Sequence, residues 1–367
     1  MPSNRLPWNA SKNRFSILLD SKRLSGARLL DLTVSNPTHA GIAYPAEEIL
    51  AALADPRALR YDPEPRGLPE ARQAVAAAHG VAPESVLLTA STSEAYAYLF
   101  KMLCDPGDGV LVPQPSYPLF DHLAALEGVD LAPYDLVQEE GWRVDLDGAP
   151  AGAKAVIAVN PNNPTGSYLT EADLAAFARL GLPLISDEVF NDYPLGPGRL
   201  AARTRADLPV FTLGGLSKSA GLPQLKLGWI LATGPGAPAA LDRLAAIADA
   251  YLSVSAPVQA AAARLLALAP QIRAAISALT RRNLDRLKAA AGPRLHAPQG
   301  GWYAVLEAPA SKTDEEWALD LLELDDVIVH PGYFFNFPRE AFLVVSLLAR
   351  EEEFAEGVGR LVRRVNG

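Results

Sequence analysis

Apolar runs at 86–89, 109–113, 155–159, 184–186, 210–213 and 227–232 carry few polar side chains, as strands buried on both faces do. Between them, helical spacing appears at 68–79, 94–104, 118–126 and 170–180. Alternation of this kind over residues 40–275 predicts a large α/β domain, a mostly parallel sheet flanked by helices. The remainder reads differently. A strand at 301–307, a helix at 313–322, strands at 327–330 and 342–347 and a final helix at 351–365 make a smaller α+β unit. With an amino-terminal helix at 11–24, it forms a second domain of residues 1–39 and 276–367. The most apolar long stretch, 241–270, is interrupted by Asp242, Arg243, Asp249 and Arg264, so it reads as a buried or amphipathic helix rather than a membrane span.

In an open α/β sheet, ligands bind outside the carboxyl ends of the strands. Three such ends are chemically marked. The run 156–159 empties into Asn160-Pro161-Asn162-Asn163-Pro164-Thr165-Gly166, the run 182–186 delivers Asp187-Glu188, and the run 208–213 leads to Leu216-Ser217-Lys218-Ser219-Ala220-Gly221. Asn163, Asp187 and Lys218 are therefore expected to converge on one crevice. A desolvated lysine gives up its proton readily and forms Schiff bases with aldehydes; Ser-Lys-Ser also occurs in ordinary solvated loops. The strand 86–89 runs through a hydroxyl-rich turn into a helix, which aims free N–H groups and the positive end of the helix dipole at an anion. Ser91 with Glu94 is also a capping box, and both readings can hold together.

Asn160 to Gly166, Asp187-Glu188-Val189-Phe190 and Ser217 to Gly221 resemble, in order, the Asn-Pro-x-Asn-Pro-Thr-Gly, Asp-Glu-x-aromatic and Ser-Lys-x-x-Gly blocks of the aminotransferase class I/II family, pyridoxal 5'-phosphate (PLP) enzymes of fold type I. The match covers nearly the whole chain. It implies an aminotransferase acting on an amino acid or related amine and a 2-oxo acid. Lys218 would carry the cofactor as a Schiff base and move the proton between substrate Cα and cofactor C4', and Asp187 would keep the pyridine nitrogen protonated. Asn163 would donate to the phenolic oxygen O3', Thr92, Ser93 and Ser217 would lie at the phosphate end, and Tyr117 would stack on the ring. Tyr117 also reads as an ordinary core aromatic. Tyr61 resembles the family tyrosine that reaches the partner subunit's phosphate, implying a homodimer with shared active sites; it also reads as a surface aromatic. Asn36, Tyr333 and position 344 are expected at the substrate.

The chain departs from the family pattern at several points. Phe190 stands where a tyrosine usually donates to O3', Gly215 replaces a common serine, and Lys226 replaces an arginine on the phosphate, losing the two-pronged donor. In the last strand Val344 stands where an arginine usually forks onto the substrate α-carboxylate. An amino-acid substrate would then need an anchor elsewhere, with Arg14, Arg339 and Arg350 as candidates that also read as solvated surface charges. Alternatively, the substrate presents no carboxylate there and Val344, Tyr333 and Phe334 receive an apolar group. C–S lyases, decarboxylases and racemases share the fold, so these chemistries and a non-catalytic PLP-binding protein are the rival readings.

At 367 residues the chain can bury a sizeable core, and a net charge of -9 argues against nucleic acid as a partner. The single Cys104 permits no internal disulfide and fits a reducing cytoplasm. The amino terminus, Met1-Pro2-Ser3-Asn4-Arg5, lacks the apolar core of a signal peptide. The five histidines lack metal-ligand spacing, so no metal site is expected. No Gly-x-Gly-x-x-Gly turn follows a first strand, which argues against a nicotinamide dehydrogenase.

Overall fold

The computed structural model describes residues 3–6, 12–139 and 141–367. Position 11, the expected start of the first helix, lies outside them; helix α1 (Arg14–Leu24) begins behind Asn13, whose side chain accepts from Ser16 N. After β1 (Leu30–Asp31), α2 (Ala46–Leu53) and α3 (Pro69–His79), the chain enters its main sheet with β2 (Val86–Thr89). Helix α4 (Thr92–Leu103), β3 (Gly109–Gln114), α5 (Phe120–Glu127), β4 (Asp130–Gln138) and β5 (Trp142–Asp145) follow. Then come β6 (Ala155–Val159), α6 (Glu171–Leu180), β7 (Leu184–Asp187), β8 (Val210–Gly215), the one-turn α7 (Leu216–Ser219) and β9 (Gly228–Thr233). These eight strands lie in the order β2-β9-β8-β7-β6-β3-β4-β5. The inner strands β8, β7, β6, β3 and β4 are parallel, while β9, β2 and β5 pair antiparallel.

Strands β4 and β5 were not expected. Pro133 in β4 has no N–H for a ladder, but β4 pairs with β5 only from residue 135 onward, so the proline sits where that edge is open. The apolar stretch 241–270 is two helices, α8 (Ala237–Asp249) and α9 (Ala256–Ala291), separated by a turn in which Leu252 has φ 44°. Pro270 lies inside α9 without ending it. The span 256–294 is long and apolar enough to cross a membrane by length and composition. Its buried side chains recur every three or four positions, however, and form one stripe. Val258 to Leu279 of that stripe pack with Ile49, Val75, Trp229 and Trp302, while Leu284, Leu287 and Ala291 join the core around Leu30, Leu343 and Val358. The helix thus runs unbroken through the expected domain boundary at 275.

The carboxy-terminal part adds β10 (Leu295–His296), β11 (Tyr303–Glu307), α10 (Asp314–Asp325), β12 (Val327–Ile328), β13 (His330–Pro331), β14 (Phe342–Ser346) and α11 (Glu351–Asn366). The strand expected at 327–330 is two pieces serving different sheets. β12 runs parallel to β1, and β13 joins the antiparallel sheet β10-β11-β14-β13.

Candidate active site

Strand register brings the predicted residues together. Asp187, the last residue of β7, lies level with Val159 of β6 on one side and Leu213 of β8 on the other. The Asn160–Gly166 turn and the Lys218 turn therefore leave the sheet beside it. Lys218 sits in α7, whose backbone is tied on all sides: Leu216 N donates to Leu227 O, Ser219 Oγ to Gly215 O, and Tyr193 Oη to the Lys218 carbonyl. Gly221, at φ +61°, closes the turn, and Tyr44 Oη donates to its carbonyl. The Lys218 ammonium stands 5.0 Å from the centroid of the Trp302 ring and 5.6 Å from that of Phe190. Burial lowers its pKa to about 8, and Asp187 pulls the other way.

Asp187 is enclosed, and burial raises its pKa to about 6 against three opposing interactions. Val189 N donates to Oδ1 at 3.2 Å, Tyr96 Oη donates to Oδ2 at 3.1 Å, and Lys218 adds its charge. Glu188 beside it turns away from the crevice. It accepts from Ala202 N and Ser186 Oγ and pairs with Arg203 at 3.2 Å; burial nonetheless raises its pKa to about 7. Its work is to tie the strand end to the segment around Ala202.

In the proline-rich turn, Asn160 and Asn162 serve the loop itself. Asn160 Nδ2 donates to Leu200 O, its Oδ1 accepts from Leu169 N, and Asn162 bonds Ser116, Pro115 and Thr165. Asn163 differs: it is buried, and its Oδ1 has no partner among the described residues. A buried carboxamide oxygen left unpaired is costly, and a ligand with a hydrogen to give would relieve it. Carboxamide O and N exchange places by a simple flip, so the same group can instead present its N–H to an acceptor.

Where the phosphate is expected, Ser91 caps α4: its Oγ accepts from Glu94 N and its carbonyl from Ala95 N. The Glu94 carboxylate accepts from Ala90 N rather than from Ser91 N, so only the Ser91 half of the expected capping box is formed. The N–H groups of Thr92 and Ser93 lie in the first turn, which has no intrahelical acceptor for them. Gly228 runs alongside, between Thr89 and Gly215 in the ladder. A side chain there would meet the backbone of Ser91 and Gly214 at 3.0–3.2 Å, so glycine is what lets the strand pass under the cradle. A Cβ added at Gly215 would come to 3.0 Å from Leu227 O and 3.2 Å from Gly228 Cα, so the serine of the family pattern would require that backbone to shift by a few tenths of an ångström.

Of the other expected residues, Phe190 lies beside Lys218 and Tyr117 faces Asp187, while Tyr61, Asn36, Tyr333 and Val344 lie apart from them. Tyr117 is 36% exposed and meets Phe120 edge-on. Ser217 is half-buried in α7, and Lys226 is exposed with φ 50°. Phe190 is buried edge-on to Trp302 and Tyr303. Tyr61, 78% exposed, lines a separate cavity of about 550 Å³ with Arg57, Leu88, Tyr98 and Ser253; Lys218, Asp187 and Asn163 are not in that lining. Asn36 caps a short turn, its Oδ1 accepting from Thr38 N and Oγ1. Tyr333 N donates to Asp314 Oδ2 and its ring meets Phe334. Val344 has no exposed surface. It lies among Val305, Phe335 and Phe342, so an open apolar pocket of Val344, Tyr333 and Phe334 is not formed. Among the described residues no group of three or more His, Cys, Asp and Glu is placed to hold a metal.

Two residues of the site went unread. Tyr96 lies one helical turn beyond Thr92, on the same face of α4, and that spacing was the available signal. Trp302 carries no such local mark; it reaches Lys218 only because the chain before it is bound to the proline-rich turn, Gln299 N and Gly300 N both donating to Gly166 O.

A helix-start cradle, a lysine of lowered pKa, a buried carboxylate and an unpaired buried carboxamide fit a phosphorylated aldehyde carrying a basic ring, as PLP does. The family model described as aminotransferase class I and II matches residues 27–361, and the chain belongs to that family. The alanine aminotransferase of Mycobacterium tuberculosis is 28% identical over 92% of the chain and 85% of its own length. Nicotianamine aminotransferase 1 of rice (Oryza sativa) is 27% identical over 76% of the chain, which spans 64% of the rice enzyme. Among solved structures, an alanine aminotransferase from Pyrococcus furiosus superposes with a TM-score of 0.89 at 23% identity, covering all of both chains; this likeness shows the fold, fold type I.

Proposed function

We propose that the protein is a PLP-dependent aminotransferase that moves an amino group between an amino acid or related amine and a 2-oxo acid. The observation that carries this is the pairing of Lys218, of lowered pKa under Trp302 and Phe190, with Asp187 and the unpaired Asn163 around one group of strand ends. Bound PLP supplies an aldehyde and an electron-withdrawing ring. Lys218 Nζ, neutral above about pH 8, would serve as nucleophile toward that aldehyde and, once the substrate amine has displaced it, would move a proton between substrate Cα and cofactor C4'. Asp187, anionic above about pH 6, holds a proton on the ring nitrogen. Asn163 serves the phenolic oxygen; Thr92, Ser93, Ser217 and Lys226 serve the phosphate, and Tyr117 the ring face.

The enzyme works as a homodimer with shared sites. Exposed Tyr61, lining a cavity outside its own Lys218 site, and the exposed Leu59 nearby in sequence support this. The free thiol of Cys104, its pKa pushed up to about 11 by burial, suits a reducing cytoplasm. The larger unit, 40–275, and the smaller one would share α9 as a spine. The test is a half-reaction: a transaminase converts bound cofactor to its amine form with a donor amino acid and back with a 2-oxo acid. A lyase, decarboxylase or racemase returns the aldehyde form with other products, and a binding protein does neither. Borohydride reduction should fix the cofactor to Lys218; finding it on Lys226 would overturn the assignment.

A further inference from the structure

We infer that Tyr96 is a positioning residue for cofactor capture: its hydroxyl holds Asp187 Oδ2 so that the carboxylate is oriented for the ring nitrogen before the cofactor arrives. This rests on the PLP reading proposed above. Tyr96 is 1% exposed and its ring is clamped by Phe120 at 5.4 Å, edge-on, and by Phe100 at 6.0 Å. A hydroxyl on so fixed a ring has one place to point, and it donates to Asp187 at 3.1 Å. The carboxylate's other oxygen takes Val189 N, so both oxygens are held, one from each side. Tyr96 also belongs to the helix whose first turn forms the cradle, one turn beyond Thr92. α4 therefore links the phosphate end of the site to the ring-nitrogen end through a single rigid element. The titratable groups facing Asp187 are Tyr96 on α4, Lys218 on α7 and Tyr117 after β3. A donated hydrogen bond favours the ionised carboxylate, the form a protonated ring nitrogen needs.

The test compares PLP binding by wild-type and Tyr96→Phe apoprotein across pH 5 to 9, with dissociation constants from equilibrium dialysis. Wild-type affinity should rise with pH as Asp187 ionises, through about pH 6. Loss of the hydroxyl should weaken binding about tenfold at pH 6 and move that inflection upward, since a bond to a charged group is lost. Tyr134→Phe removes another buried hydroxyl, which donates to Ile157 O, and should leave the inflection in place. Should Tyr96→Phe fail to fold, the same readings are taken on Tyr96→Met, which also lacks a donor. Weakened binding with an unmoved inflection, or no change in either, overturns the inference and leaves the proposed function standing. Failure of the wild type to bind PLP overturns both.

Discussion

The ammonium of Lys218 lies 5.0 Å from the centroid of the Trp302 indole, and that indole has no exposed surface. The indole and Phe190 exclude water from one side of the amine, and this desolvation is the main cause of its lowered pKa.

Competitive labelling of lysines in the apoprotein should therefore show Lys218 reacting with an inflection near pH 8, well below the surface lysines. The neutral amine is the reactive form, so its rate rises with pH through that value. Trp302→Ala admits water and should move the inflection up by about a unit, towards the ordinary lysine range. An unmoved inflection would assign the shift to other walls of the site.

Phe190→Tyr should restore a donor towards the phenolic oxygen of the cofactor. A hydrogen bond there favours the anionic oxygen and the deprotonated imine, so the spectroscopic pKa of the holoenzyme should fall. Phe190 is buried against Trp302 and Tyr303, so the added hydroxyl should also cost on the order of 1 kcal/mol of stability, read as a lower Tm. An unchanged or higher imine pKa would show that another group has taken over the role.

The main sheet was legible because its inner strands are buried on both faces and read as unbroken apolar runs. β4 was not, because it is only partly buried and its Pro133 argues locally against a strand. The stretch 241–270 reads as one helix, whereas the turn at Leu252, φ 44°, separates α8 from α9, and the stripe of Ile272, Ile276 and Leu279 carries α9 on past Pro270. In the site, the strand-end residues were readable from motif and position. Tyr96 and Trp302 were less so, since each acts across the fold on a residue more than 80 positions away.

His79 makes the fold sensitive to acid. At the end of α3 its ring packs tilted against Trp229, centroids 5.3 Å apart, its carbonyl accepts from Arg203, and burial with the Arg203 charge lowers its pKa to about 4. A histidine with a depressed folded pKa contributes nothing above its unfolded value of 6.5 and costs stability as pH falls from 6.5 towards 4. His79→Gln should remove roughly 2–3 kcal/mol of that pH dependence, measured as the difference in unfolding free energy between pH 7 and pH 4. Equal slopes for variant and wild type would show that His79 titrates normally.

The substrate carboxylate, if there is one, must be met away from Val344, because an anion against that enclosed apolar cluster would lose its solvation without a partner. Of the three candidate arginines, Arg339 is already engaged, paired with Glu307 and lying 4.3 Å over the Phe342 ring. Arg14 is on the exposed side of α1. Arg350 makes one long bond, 3.4 Å from Nε to His39 O, and lies against Gly41, close to the turn that Asn36 caps. Arg350→Ala should therefore raise KM for amino-acid donors at least tenfold with little change in kcat, while Arg339→Ala and Arg14→Ala change KM less than threefold. Donors are assayed as matched pairs, each amino acid beside its decarboxylated amine. Faster reaction of the amines in the wild type would mean that no carboxylate is bound, and Arg350→Ala should then leave KM for those amines unchanged.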